Sequence, residues 1–297
     1  MKKILILLTG SEAADNVIFK SIPALLKMKC CFDFIYIREK PLDVEYFAPK
    51  ILAQGINDSS LYNEFKQQYD NKIQEYIKAH KCTAKLIFEE CHCGAQTFMD
   101  YLNYYDLAII TKNPLNYFVK EILKLHTRPL ILLDEIPLEK FHSISVAFDD
   151  SVQVCKSIFL FVALFQNMIH SVSLNSYGKI TDNQKIHEYI RSKHLLVNAT
   201  TTEKEPYSSV EGVLDIMAQN NFSGIGSLRY SQFQYIRSNE VHIDEKHENS
   251  EDHFINSLEK GNICIMGMLS HSAFFEQLLG NMGIQLLKKI KKPIFIG

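Results

Sequence analysis

The sequence has no excess of charge of either sign and no hydrophobic run long enough to cross a membrane. Its 32 Lys and Arg residues nearly balance 34 Asp and Glu residues, which gives a net charge of −2 at pH 7. A binding surface for nucleic acid is therefore not expected. The longest apolar stretch, residues 157–169, is shorter than the roughly 20 residues of a membrane-spanning helix, so we expect a buried helix there and no membrane partner.

A secretory signal is also lacking. The apolar letters ILILL after Met1, Lys2 and Lys3 run directly into TGSEAAD, and no cleavage site of small residues follows. We therefore expect a cytoplasmic protein.

The cysteines lack the spacing of a zinc site. Cys30 and Cys31 are adjacent, and a single residue separates Cys91 from Cys93, whereas zinc ligands usually leave two to four residues between them. Most of the seven cysteines lie in apolar runs, so buried reduced thiols are expected.

A catalytic arrangement is missing as well. The sequence contains no G-x-S-x-G elbow, and no third group is evident that would orient the Ser270-His271 pair. We predict no catalytic residues.

One segment is rich in potential metal ligands. His242, His247 and His253 alternate with five carboxylates, and both types of side chain bind zinc. Because the segment is expected to bend from a strand into a helix, we favour a solvated acidic loop, with a zinc site as the alternative.

The most informative feature that is present is an internal repeat. The string KILILLTGSEAADNVIFK starts at residue 3, and SISVAFDDSVQVCKSIF starts 140 positions later, at residue 143. The halves also end alike, with DLAIITKN and RPLILL in the first and NICIMGML and KPIFIG in the second. Such repetition indicates that one βα unit is present twice.

The offset between the halves grows along the chain. Asp106 aligns with Asn262, 156 positions later, and Pro129 aligns with Pro293, 164 positions later. The second half therefore has 16 more residues than the first before its fourth strand, and eight more between its fourth and fifth strands. The carboxyl end of a sheet strand, where the eight residues are added, is where open α/β sheets bind ligands.

Apolar runs alternate with helical spacing through both halves. Runs such as residues 3–8 are typical of parallel strands that are buried on both faces. The predicted fold is α/β and Rossmann-like, with two tandem, doubly wound, five-stranded parallel-sheet domains. We place the domains at residues 1–136 and 142–297, the second with an insertion around residues 198–240 and its third strand at residues 241–244.

The loop after the fourth strand differs between the halves. In the second half, GMLS from Gly267 to Ser270 is followed by nine residues and then by Gly280 and Asn281, ahead of the helical IQLLKKI. Glycines there let backbone amides face a phosphate at the start of a helix. In the first half, residues 111–114 read TKNP, without glycine and with a helix following directly.

These residues resemble the nucleotide-binding members of the universal stress protein family, which have an adenine nucleotide alpha hydrolase-like fold and often occur in tandem. The family motif is Gly-x2-Gly-x9-Gly-Ser/Thr after the fourth strand, with Asp-x-Ser after the first. The spacing of Gly267, Ser270 and Gly280 matches the first motif, and Asp149 and Ser151 match the second. By element order the resemblance covers nearly the whole chain.

Two positions depart from the motif. Ser270 replaces the second glycine, and Asn281 replaces the hydroxyl residue. In the first half, residues 9–11 read TGS and lack the aspartate. We therefore expect weakened or vestigial nucleotide binding in the second half and a structural role for the first.

The resemblance implies a stress-associated binding or regulatory protein rather than an enzyme, with ATP and accompanying Mg²⁺ as candidate ligands. We expect the two domains to pair within the chain, and a homodimer is a further expectation. The alternatives are a slow nucleotide hydrolase that uses the same site, and an interaction scaffold that binds a partner or another small molecule. The predicted cofactor-binding residues are Asp149, Ser151, Gly267, Ser270, Gly280 and Asn281.

Overall fold

The structure is a computed structural model. It describes residues 2–28, 30–39, 59–80, 83–149, 151–177, 184–202, 250–267 and 282–297.

The described strands form one mixed sheet of ten strands. In the first half the strands are β1 (Lys2–Leu8), β2 (Cys30–Glu39), β3 (Leu86–Cys91), β4 (Leu107–Thr111) and β5 (Leu130–Leu133). In the second half they are β6 (Ser143–Ala147), β7 (Ser171–Tyr177), β8 (Leu196–Thr202), β9 (Ile263–Met266) and β10 (Ile294–Ile296).

Helices cover both faces of this sheet. Those of the first half are α1 (Glu12–Leu26), α2 (Ser59–His80), α3 (Gly94–Leu102) and α4 (Tyr117–Leu125). Those of the second half are α5 (Val152–Phe165), α6 (Gln184–Ser192), α7 (Ser250–Glu259) and α8 (Met282–Lys289), and a 3-10 turn, Gln166–Met168, extends α5. Among the described residues, no helix combines the length and apolar character that crossing a membrane requires.

The strand order is the same in the two halves. The sheet runs β3-β2-β1-β4-β5-β10-β9-β6-β7-β8, and every neighbouring pair is parallel except β5 and β10. The predicted α/β, doubly wound fold is confirmed. The two five-stranded sheets are continuous with each other, because the antiparallel β5–β10 pair joins their edges. The domain limits at residues 136 and 142 stay a prediction.

The strand registers agree with the repeat. Ile4 and Ile144, 140 positions apart, pair with Leu107 and Ile263, which are 156 positions apart. The offset of 164 at the fifth strand appears when Leu130 of β5 is matched with Ile294 of β10, through Ala108 and Cys264. The sequence alignment of the inner strands is therefore correct to the residue.

The third strand of the second half was predicted wrongly. The strand that pairs with β7 is β8, at Leu196–Thr202, whereas residues 241–244 lie outside the described residues. Register matches Leu86 of β3 with Ala199 of β8, so the offset falls from 140 to 113 and then rises to 156. The net difference of 16 residues thus combines a deletion of 27 residues before this strand with an insertion of 43 after it.

The inner strands are mostly apolar because both of their faces are covered. All residues of β4, β5, β9 and β10 are buried. On one face α1 and α5 pack together with residues of both halves, including Phe141 and Phe295, in a single apolar cluster. On the other face α3, α4, α7 and α8 cover the sheet. Edge strand β8 is mostly exposed and carries polar residues.

Candidate functional site

The predicted site residues lie at a reversal of strand order in the second half. From β6 the chain proceeds outward to β7 and β8, and it then returns to the opposite side of β6 as β9. The carboxyl ends of the neighbouring parallel strands β6 and β9 therefore flank a switch point, where doubly wound sheets bind ligands. Asp149 and Ser151 follow β6, and Gly267 follows β9.

Asp149 and Ser151 organise the start of α5. Ser151 is the N-cap residue, and its Oγ accepts a hydrogen bond of 3.2 Å from the backbone N–H of Val154. This bond satisfies one of the amides that a helix N-terminus leaves without a partner. Asp149 Oδ1 accepts from the backbone N–H of Ser151 at 3.0 Å. Asp149 is exposed, and among the described residues its second carboxylate oxygen accepts no hydrogen bond.

Gly267 lets the end of β9 approach the first turn of α5. A Cβ atom at this position would lie 3.1 Å from the backbone nitrogen of Val154 and 3.3 Å from Cβ of Gln153. Because one of these neighbours is backbone, a side chain at residue 267 would push the strand end and the helix apart. The described residues of the site, Asp149, Ser151 and Gly267, therefore lie close together around the N-terminus of α5.

The remaining predicted residues, Ser270, Gly280 and Asn281, lie outside the described residues, so their contribution stays a prediction. The described chain resumes at Met282, where α8 begins.

In the first half, the loop at the equivalent switch point between β1 and β4 is closed by a carboxylate of its own helix. Asp15 of α1 is fully buried, and it accepts from the backbone N–H groups of Thr9 at 2.9 Å and of Gly10 at 3.0 Å. It also accepts from the Thr9 hydroxyl at 3.0 Å and from the Tyr69 hydroxyl at 2.5 Å. Gly10 has φ 79°, a left-handed conformation that glycine adopts without strain and that turns its amide toward the carboxylate.

This environment changes the acidity of the Tyr69 phenol. Burial of the phenol, followed by its hydrogen bond to Asp15, raises the pKa of Tyr69 well above its ordinary value. In the second half, Cys155 lies 140 positions after Asp15, so α5 has no carboxylate at the position that corresponds to Asp15. The second half instead has its carboxylate, Asp149, in the loop.

A buried ion pair occupies the other side of the first switch point. Lys112, directly after β4, contacts Asp134, directly after β5, with 2.7 Å between Nζ and Oδ2 and side chains that are 3% and 4% exposed. Burial lowers the pKa of Lys112, and the hydrogen bond to Asp134 opposes that effect. Thr111, which the register matches with Gly267, is also buried. The place that Gly267 occupies in the second half is therefore filled by side-chain atoms in the first.

Sequence reasoning missed both carboxylate sites of the first half. One signal was available for Lys112, since a charged residue that directly follows a fully buried strand has to find a buried partner or leave the sheet. The partners of Asp15 could not be inferred in the same way, because Tyr69 lies 54 positions away in another helix.

The structure describes the two potential metal sites only in part. Of the acidic segment, Asp252 and His253 lie in α7, and residues 242–249 lie outside the described residues. Cys91 and Cys93 lie at the end of β3 and before α3. Within the part of the chain that the structure describes, no three potential metal ligands come together.

Comparison with known proteins supports the fold. No protein-family model and no curated protein matches the sequence. The solved structure of a universal stress protein from Archaeoglobus fulgidus DSM 4304 matches with a TM-score of 0.61 and 11% identity, over 99% of this chain and 95% of that one. A structure from Pseudomonas aeruginosa UCBPP-PA14 that is assigned as a universal stress protein matches with a TM-score of 0.50 and 9% identity, over 100% of this chain and 92% of that one. The residues that the structure describes thus have the fold of these universal stress proteins.

Proposed function

We propose that this is a universal stress-type binding or regulatory protein with a weakened adenine-nucleotide site in its second half. In this proposal the protein is cytoplasmic, its ligand is ATP with Mg²⁺, and its halves pair within the chain. Whether two chains also form a homodimer is a further part of the proposal, to be measured by light scattering.

The observation that carries the proposal is the convergence of Asp149, Ser151 and Gly267 at the switch point between β6 and β9. Asp149 has a carboxylate oxygen for an adenine amino group or a ribose hydroxyl. Gly267 lies against the N-terminus of α5, where backbone amides and the helix dipole favour an anion. In the proposal, Ser270, Gly280 and Asn281 complete the site around the phosphates.

The contrast with the first half supports the assignment to the second. The loop amides after β1 already bind the Asp15 carboxylate, and Lys112 fills the space after β4. A ligand there would have to displace a buried carboxylate or a buried ion pair, and either would leave a buried charge without its partner.

Calorimetric titration with ATP and Mg²⁺ tests the proposal. Asp149→Ala and Gly280→Val should abolish binding, while Asp149→Asn keeps an acceptor for the Ser151 amide and isolates the role of the charge. Thr9→Ala, at the position that corresponds to Asp149 in the first half, is the matched control and should bind ATP as the wild type does.

Absence of binding at millimolar nucleotide would overturn the nucleotide assignment and favour the scaffold alternative. Phosphate release from ATP above the level of Gly280→Val would favour the slow hydrolase. Equal binding by wild type and Asp149→Ala would place the ligand elsewhere in the protein.

A further inference from the structure

A lysine of the first half caps the C-terminus of the last helix of the second half. Lys112 Nζ donates to the backbone carbonyl oxygen of Ile290 at 2.8 Å and to that of Leu287, 178 and 175 positions away in the chain. Its third acceptor is Asp134 Oδ2 at 2.7 Å. An ammonium group has three N–H donors, so this buried cation is fully satisfied by one carboxylate and two carbonyls.

The two carbonyls are the ones that a helix leaves without partners. Helix α8 ends at Lys289, so Leu287 and Ile290 lie within its last turn and its C-cap. The last four carbonyls of a helix lack intrahelical donors, and the helix dipole places partial negative charge there. A cation at this end therefore stabilises α8 both by hydrogen bonding and by charge, and burial reduces screening by water.

The corresponding helix of the first half, α4, is capped by a residue of its own. His126, the C-cap of α4, has its Nδ1 2.9 Å from the carbonyl oxygen of Leu123 in the same helix. At the position of the second half that corresponds to Lys112, the sequence has Met268, which carries no charge. The cap on α8 is therefore supplied by the first half to the second, and the uncharged Met268 has no ammonium with which to supply the same cap to α4.

Other contacts near the end of α8 support the same link. Lys291 donates its backbone N–H to Glu259 Oε1 at 2.8 Å, which ties the helix end to α7. Its ammonium lies 3.1 Å from Glu135 and 3.8 Å from Asp134, both of the segment after β5. The segment after β5 and the end of α8 are thus held together by charges of both halves.

We propose that Lys112 is a positioning residue by which the first half fixes helix α8 and, through it, the phosphate end of the proposed nucleotide site. This inference rests on the proposed function, in which the N-terminal amides of α8, directly after Gly280 and Asn281 in the sequence, face the phosphates. Lys112 at the C-terminus of α8 stabilises the ordered helix, and a phosphate at its N-terminus would do the same, so through the helix each strengthens the binding of the other. The first half is then a required part of the site rather than a passive neighbour.

Two variants of the full-length chain test this inference. Lys112→Met removes the cation but leaves Asp134 buried without it. Lys112→Met/Asp134→Leu removes both charges, and replacing a buried ion pair by apolar residues is often neutral for stability. Lys289→Met is the matched control, because it removes a cation from the last turn of the same helix at a side chain that is 44% exposed.

Hydrogen exchange followed by mass spectrometry is the first readout. In both Lys112 variants, the amides in the last turn of α8 should exchange about tenfold faster, since bonds to a charged donor are lost. Amides of β1 and β6 should keep their protection, as should α8 in Lys289→Met. Unchanged protection of α8 in the double variant would overturn the inference, and so would an equal loss of protection throughout the sheet.

ATP titration is the second readout. Both Lys112 variants should bind ATP about fivefold more weakly than wild type, which is the lower limit of the coupling usually found between two sites. If wild type binds ATP and the double variant binds it equally well, the inference is wrong although the proposed function stands. If wild type binds no ATP, the proposed function fails, and the claim that Lys112 positions α8 is decided by hydrogen exchange alone.

Discussion

The hydrogen bond between Tyr69 and Asp15 should make a measurable contribution to the stability of the first half. Tyr69→Phe keeps the ring, which is 9% exposed, and removes only the hydroxyl that donates to the carboxylate at 2.5 Å. Hydrogen bonds to charged groups contribute about 1.5–3 kcal/mol. Because Asp15 keeps the two backbone donors and the Thr9 hydroxyl, we expect Tyr69→Phe to lower the free energy of unfolding by about 1.5 kcal/mol, near the lower limit of that range.

Asp15→Ala should cost more, because all four donors lose their acceptor. Thr9 and Gly10 are exposed, so water can replace the carboxylate at their amides, whereas the buried Tyr69 hydroxyl loses its hydrogen bond to Asp15. A loss of about 2–4 kcal/mol is expected from the buried hydroxyl and the lost charge-assisted bonds together. In the double variant the hydroxyl and the carboxylate are both absent, so the two losses should not add.

Urea unfolding followed by circular dichroism measures this cycle. The coupling free energy between Tyr69 and Asp15 should be about 1–2 kcal/mol, and a value below about 0.5 kcal/mol would contradict a direct contact.

The pH dependence of stability gives a second check. Since the pKa of Tyr69 is raised in the folded protein, its contribution to stability is present below about pH 10 and is lost as the pH rises above that value. Tyr69→Phe should therefore flatten the loss of stability in alkali, and an unchanged slope would argue against a buried phenol.

Three further predictions concern the second half. Ser151→Ala should lower the free energy of unfolding by about 1 kcal/mol, because it removes the N-cap of α5, while Ser151→Asp should retain the cap. Equal melting temperatures of the wild type and the two variants would exclude the cap. Gly267→Val should cost about 1–3 kcal/mol in urea unfolding because its side chain would press against backbone of α5, and a neutral result would mean that the strand end moves freely. Burial raises the pKa of the Cys264 thiol to about 12, so maleimide at pH 8 should modify exposed Cys93 and spare Cys264 until the protein unfolds. The stability that comes from keeping the Cys264 thiol protonated should be present below about pH 9 and decline as the pH rises toward 12, which pH-dependent unfolding of Cys264→Ala compared with wild type would measure.

The inner part of the sheet could be predicted from the sequence because its strands are buried on both faces. Such strands have to be continuous apolar runs, and the same runs occur at fixed offsets in the two halves, as the pairing of Ile4 with Leu107 and of Ile144 with Ile263 confirms. The antiparallel β5–β10 junction was not predicted. It depends on which sheet edges meet, and apolar pattern within one strand carries no information about that.

The edge strand β8 was missed for a related reason. Its sequence is LVNATTT, and Leu196 is 71% exposed, so neither a buried run nor a regular alternation marks it. An edge strand can be polar because only one of its sides pairs with a neighbour, and threonine suits extended backbone. The net count of 16 extra residues concealed a deletion and an insertion on either side of this strand, so an alignment of the neighbouring strands alone could not locate it.

The candidate site was predictable only where its chemistry is local. Asp149 and Ser151 lie two residues apart at the start of a helix, and their hydrogen bonds are of the kind that sequence patterns encode. The partners of Lys112 lie 22 to 178 positions away, so no local pattern contains them.

The short TKNP turn of the first half, residues 111–114, has a physical reason. A lysine that continues a buried strand needs acceptors, and Asp134 and the end of α8 supply them only if Lys112 stays beneath that helix. A glycine-rich loop of eight more residues would release Lys112 from this position and leave Asp134 buried without its partner. The first half therefore keeps a short turn and provides a cation, whereas the second half has Met268 at this position and eight more residues before its fifth strand.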